Sequence, residues 1–232
     1  MFRSGFRIVS GTVPIIGVVA TLAVIAVALV AGLSTGGPHR QAGHSMLRPM
    51  KALKALESFV RDLPVAYASV GPSFWGDGMY PPSDAVYYPL YTKCAEMGLP
   101  LCINTGLPGP PIPGEVQNPI HLDRVCVRFP ELKLCMIHGA DPWWDIAIRL
   151  LIKYSNLRLM TSAWSPKRLP DSLLHYMRTR GGDKVIYASD WPVLKMRRVV
   201  PEAQALDLPA EVLENYLYNN AHTFFFEGQE EH

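Results

Sequence analysis

Leu132-Lys133-Leu134-Cys135-Met136-Ile137-His138-Gly139 reads as a short apolar strand that ends on a histidine, with a helix start close behind at Asp141-Pro142. Two other stretches repeat the plan. Leu99 to Asn104 is an apolar run ending on an asparagine, and Lys184 to Asp190 ends on an aspartate with Trp191-Pro192 behind it. Continuous apolar runs mark strands of a parallel sheet, because helices cover them and leave no solvated face. In an α/β barrel the chemistry sits on polar residues at the C-terminal ends of such strands. Asn104, His138 and Asp190 therefore belong around one mouth.

Outward from these three, Leu63 to Val70 and Asn156 to Ser162 supply two more strands. Helices are expected over Met46 to Arg61, from a Ser83 cap to Gly98, and over Asn118 to Phe129. Three more are expected over Pro142 to Tyr154, Asp171 to Arg180 and Pro209 to Tyr218. Apolar residues three and four apart support the first of them, and glycine or proline punctuates the ends of the others. Five strands alternating with helices make a βα repeat with parallel strands and right-handed crossovers. No GxGxxG or GxxxxGK[ST] loop follows any strand, which disfavours a nucleotide-binding sheet.

The N-terminal part has another character. Between Arg7 and Arg40 there is no Lys, Arg, Asp or Glu, and Ile15 to Leu33 is apolar or small throughout. As a helix that run would span roughly 28 Å, enough to cross a bilayer. Residues 1–34 are thus expected to be a single-pass transmembrane anchor, with a cleaved signal segment as the rival reading. Residues 35–45 form a linker, 46–227 the α/β domain and 228–232 a tail. The predicted location is the membrane; basic residues flank both ends of the run and leave the orientation open, with the reduced-looking cysteines favouring a cytoplasmic domain.

Composition narrows the partners. A formal net charge of +2 on 232 residues gives no electrostatic footprint for nucleic acid. The four cysteines (Cys94, Cys102, Cys126 and Cys135) form no CxxC pair and read as buried thiols, not a disulfide framework. His121 and His175 fall within helices and read as surface residues. Trp143-Trp144 reads as helix packing. Arg158, Lys167 and Arg168 fall near the mouth, where an anionic substrate could meet them.

Motifs add a family. Tyr88-Pro89-Leu90-Tyr91 and Cys94-Ala95-Glu96-Met97-Gly98-Leu99-Pro100 come first, followed by Phe129-Pro130-Glu131-Leu132 and His138-Gly139. Ser189-Asp190-Trp191-Pro192 and Asn220-Ala221 complete the series. In this order, from about Lys51 to Phe225, they resemble the later part of an amidohydrolase-related (amidohydrolase 2) protein, a group of metal-dependent TIM-barrel hydrolases and decarboxylases. The resemblance implies a partial (β/α) barrel with about five parallel strands. It implies a divalent metal, zinc by preference, at the barrel mouth and a small organic substrate. By the same resemblance His138 and Asp190 are the catalytic pair and the candidate metal ligands, while Asn104 and Trp191 contact substrate.

Two departures accompany the resemblance. Asn104 stands where the family's fifth-strand ligand is histidine, and no HxH pair occurs anywhere. A complete barrel takes about 250 residues, so about three strands are expected to be missing. The expected function is hydrolysis or decarboxylation of a small molecule. The alternative is an inactive, membrane-anchored remnant that binds a ligand or partner chain. An open sheet edge invites self-association, and the helix over Met46 to Arg61 is the only nearby segment expected to cover the exposed side.

Overall fold

Each expected strand forms, and each is shorter than the apolar run that announced it. The computed structural model describes residues 47–74 and 80–227. The strands are β1 (Ala68–Val70), β2 (Leu101–Asn104), β3 (Leu134–Ile137), β4 (Leu157–Met160) and β5 (Val185–Ile186). All pair in parallel and in chain order, β1-β2-β3-β4-β5. That order, with a helix after each of the first four strands, is the progression of a βα barrel. Among the described residues the sheet does not close, and β1 and β5 are its edges.

Alternation along the strands separates two cores. Leu101 and Ile103, Leu134 and Met136, Leu157 and Leu159, with Val185, face one side. There they meet α1 (Leu47–Asp62), α2 (Tyr88–Glu96), α3 (His121–Arg128), α4 (Trp144–Lys153) and α5 (Asp171–Thr179). Leu56 of α1, Tyr91 of α2 and Leu173 of α5 are fully buried in this layer. The helix over 46–61 therefore packs on the helical face, held further by a 2.9 Å Lys93–Glu57 ion pair, and does not cover the opposite one.

The opposite face carries Cys102, Cys135, Ile137, Met160 and Ile186. The C-terminal helix α8 (Asn220–Phe225) covers it, laying Phe224 and Phe225 against these residues, and Tyr67 meets Phe225 at 5.3 Å between ring centroids. Burying each phenyl ring contributes about 1.5–3 kcal/mol. Asn220 anchors this helix by donating from Nδ2 to Gly182 O and Val185 O, both at 2.9 Å. The wide turn of the π-helical segment Asn215–Asn219 leads into it, and Tyr216 there accepts from Tyr187 N at 2.9 Å. All four cysteines are buried free thiols.

Several local expectations change. Asp84, not Ser83, caps the turn before α2, accepting from Val86 N at 2.8 Å. The last helical region is three pieces, α7 (Ala210–Glu214), the π segment and α8. An unexpected helix, α6 (Met196–Gln204), carries Pro201 in its second turn, where proline normally ends a helix. The anchor, linker and tail expected at 1–34, 35–45 and 228–232 lie outside the described residues. Among the described residues no helix is long and apolar enough to cross a membrane.

Candidate active site

The backbone turns sharply where the sequence put its polar strand ends. His138 (φ 67) and Gly139 (φ 68) follow β3 in the left-handed region, and Asp190 (φ 55) does so in the segment after β5. A non-glycine residue held there stores about 1–3 kcal/mol, which the surroundings must over-determine. At His138 they do. Its N–H donates to Ser162 Oγ at 3.0 Å, and its C=O accepts from Trp164 Nε1 at 2.8 Å. The next carbonyl, Gly139 O, accepts from Thr105 Oγ1 at 2.6 Å. Loops after β2 and β4 thus hold the turn from both sides. Residue 139 has to be glycine, since a Cβ there would sit 2.5 Å from Trp144 Cη2 and 2.8 Å from Trp164 Nε1.

The turn delivers the imidazole. Nδ1 of His138 lies 3.2 Å from Ser162 Oγ and 3.9 Å from Asp190 Oδ2. The His138 side chain is 33% exposed and that of Asp190 36%, so both are open to a small molecule. Burial pushes the His138 imidazole below its ordinary 6.5, and the nearby Asp190 carboxylate, with Ser162, offsets part of that fall. The imidazole is accordingly neutral near pH 7. Among the described hydrogen bonds none involves Nε2.

The other expected site residues are placed as follows. Asn104 ends β2 in register with Ile137, one residue before His138, and is half-buried. Trp191 is 61% exposed, so it is not core. Trp144 is buried and meets Trp164 edge-on at 5.4 Å, as packing requires. His175 is exposed, whereas His121 is half-buried at the start of α3. Arg158 is not at the mouth. It stacks over Phe224 at 5.9 Å and donates to the carbonyls of Ser155 and Leu157, at the opposite end of β4. Lys167 is 3.6 Å from Glu202, which also accepts from Ser165. Ser162, Thr105 and Trp164 were not singled out from the sequence. Thr161-Ser162 does end an apolar run, the same signal that marked His138.

A divalent metal is not served by what is present. The candidate donors are one imidazole and one carboxylate, and a stable site takes three or four. Among the described residues no group of three or more His, Cys, Asp or Glu side chains is positioned to hold an ion.

The amidohydrolase family model matches residues 17–226. The chain belongs to that family. The match begins at residue 17, inside the apolar run of residues 15–33. Neither the match nor the described residues supports a membrane span. Similar solved structures include an uncharacterised TIM-barrel protein from Bordetella bronchiseptica, 24% identical with a TM-score of 0.69, covering 76% of this chain and 62% of that one. A 2,6-dihydroxybenzoate decarboxylase from Rhizobium is 17% identical with a TM-score of 0.59, over 76% of this chain and 67% of that one. A dihydroxybenzoic acid decarboxylase from Polaromonas sp. JS666, with bound manganese and the inhibitor 2-nitroresorcinol, is 18% identical with a TM-score of 0.58, over 76% and 65%. These likenesses establish the TIM-barrel fold. The amidohydrolase chain spans 62% of the first structure's length. No curated protein matches the sequence. Family membership supports an enzyme, and nothing supports the reading as an inactive anchored remnant.

Proposed function

We propose that the chain carries part of the active site of an amidohydrolase-family enzyme that decarboxylates or hydrolyses a small organic molecule. His138 moves the proton and Asp190 balances its charge. The observation that supports this is the 3.9 Å approach of His138 Nδ1 to Asp190 Oδ2 on two left-handed turns at one mouth. Holding a side chain on such a turn costs stability, and strain of this kind gathers at functional sites. Both reactions need a proton moved at the substrate. Hydrolysis needs one taken from water and given to the leaving group. Decarboxylation needs one delivered to the carbon that loses carbon dioxide. An imidazole beside a carboxylate serves either.

A divalent cation, zinc by the resemblance or manganese as in the Polaromonas structure, is the cofactor the family implies. The two donors described here do not complete its site, so no step is assigned to it. The substrate class best supported is a small aromatic carboxylic acid, since the named decarboxylases act on such compounds.

The test is turnover of 2,6-dihydroxybenzoate and related benzoates by the purified full chain, with and without added manganese, read as carbon dioxide release. Activity lowered on the order of a hundredfold or more by His138→Gln and Asp190→Asn is expected. Turnover that survives both substitutions would remove the assignment.

A further inference from the structure

Ser162 does two things to His138, and only one of them is structural. Its hydroxyl accepts the His138 backbone N–H at 3.0 Å and also faces Nδ1 of the same residue at 3.2 Å. A hydroxyl has one proton to give and two lone pairs to receive with. Ser162 is 4% exposed, so its proton is expected to be hydrogen-bonded. Among the described hydrogen bonds of Oγ, Nδ1 is the sole acceptor.

We propose that Ser162 is a positioning residue that donates its hydroxyl proton to Nδ1 and so keeps neutral His138 as the Nε2–H tautomer. The reverse arrangement, Nδ1–H donating to Oγ, would fill both lone pairs and leave the Ser162 proton buried without an acceptor. Asp190 fits this assignment. At 3.9 Å its Oδ2 is beyond hydrogen-bond distance of Nδ1, as expected of a carboxylate facing a nitrogen that carries a lone pair and no proton. The face of the ring pointing away from Ser162 and Asp190 presents an N–H, a hydrogen-bond donor for an anionic or carbonyl oxygen of a substrate. This inference rests on His138 being the proton carrier of the proposed function, but its test needs no turnover.

The experiment is nitrogen-15 NMR of the histidine-labelled full chain, without substrate, with the His138 signals assigned by comparison with His138→Gln. The expected result for neutral His138 is Nε2–H over Nδ1–H on the order of ten to one, the preference set by one buried donor left unpaired. Ser162→Ala should bring the Nδ1–H form to parity or above, and Ser162→Thr, which retains a hydroxyl, should restore the original ratio. A merely structural serine would leave the tautomer ratio unchanged in Ser162→Ala. Should that variant fail to fold, Asp190→Ala gives a second measurement, in which the Nε2–H form persists if Ser162 sets it. Dominant Nδ1–H in the unsubstituted chain, or a ratio that follows Asp190 and not Ser162, overturns the proposal. The expected ratio in a chain that turns over no substrate would leave this inference standing and remove the proposed function.

Discussion

His138 Nδ1 and Asp190 Oδ2 stand 3.9 Å apart although their strands are not neighbours, for β4 lies between β3 and β5. The gap is bridged by two left-handed turns that lean toward each other over the end of β4, where Ser162 sits between the sequence positions of the pair.

The first consequence is electrostatic. Burial holds the folded-state pKa of His138 below 6.5, so the unfolded chain binds the proton more readily. Stability from this group is complete above about pH 6.5 and falls as the pH drops through the lower folded value. Replacing Asp190 by Asn removes a charge that raises the pKa, so His138 should titrate at still lower pH. Proton NMR titration of His138 in both proteins reads this directly. An upward shift in Asp190→Asn would contradict the pairing.

Gly139→Ala should destabilise the domain by about 2–4 kcal/mol, combining left-handed strain with overpacking. The added Cβ would collide with Trp144 and Trp164, the second of which holds the His138 carbonyl. Urea unfolding followed by tryptophan fluorescence measures the loss. A change below about 1 kcal/mol would mean that the indoles yield freely.

Phe225→Ala should cost about 3–5 kcal/mol and open the face that α8 covers. Cys102 and Cys135, 0% and 1% exposed, share that face. Their reaction with a thiol reagent under native conditions should therefore speed up, while Cys94, buried among the helices, should not. Equal acceleration at all four thiols would indicate global loosening.

Asn104→His should strengthen binding of zinc or manganese by tenfold or more over the unsubstituted chain. The change adds an imidazole at the end of β2, where Asn104 is in register with the residue before His138. Imidazole is a far better ligand for such ions than an amide oxygen. Isothermal titration calorimetry is the measurement, and unchanged affinity would place the Asn104 side chain out of reach of the pair.

Much of the fold was legible without coordinates. Asn104 ends β2, His138 directly follows β3 and Asp190 lies four residues past β5, because a doubly covered strand carries its polarity where it stops or beyond. Helix positions through α5 followed from spacing and punctuation in the same way, whereas α6, with Pro201 inside it, and the division of the last helical region into α7, the π segment and α8 did not. Ser162, Thr105 and Trp164 escaped notice because a serine at a strand end gains meaning only from the histidine it faces, 24 positions away.

The sequence by itself determined the five described strands as parallel βα units and the polar residues at or just past their ends, since each depends on the apolar pattern of one segment. Only the tertiary structure decided which tips meet and what covers the sheet. The first depends on left-handed turns at His138 and Asp190, fixed by hydrogen bonds from other loops. The second depends on Phe224 and Phe225, whose partners across the sheet no local pattern names. They fill the inner face because the sheet, which does not close among the described residues, needs an apolar cover there, and α8 is held by Asn220 where it can supply one.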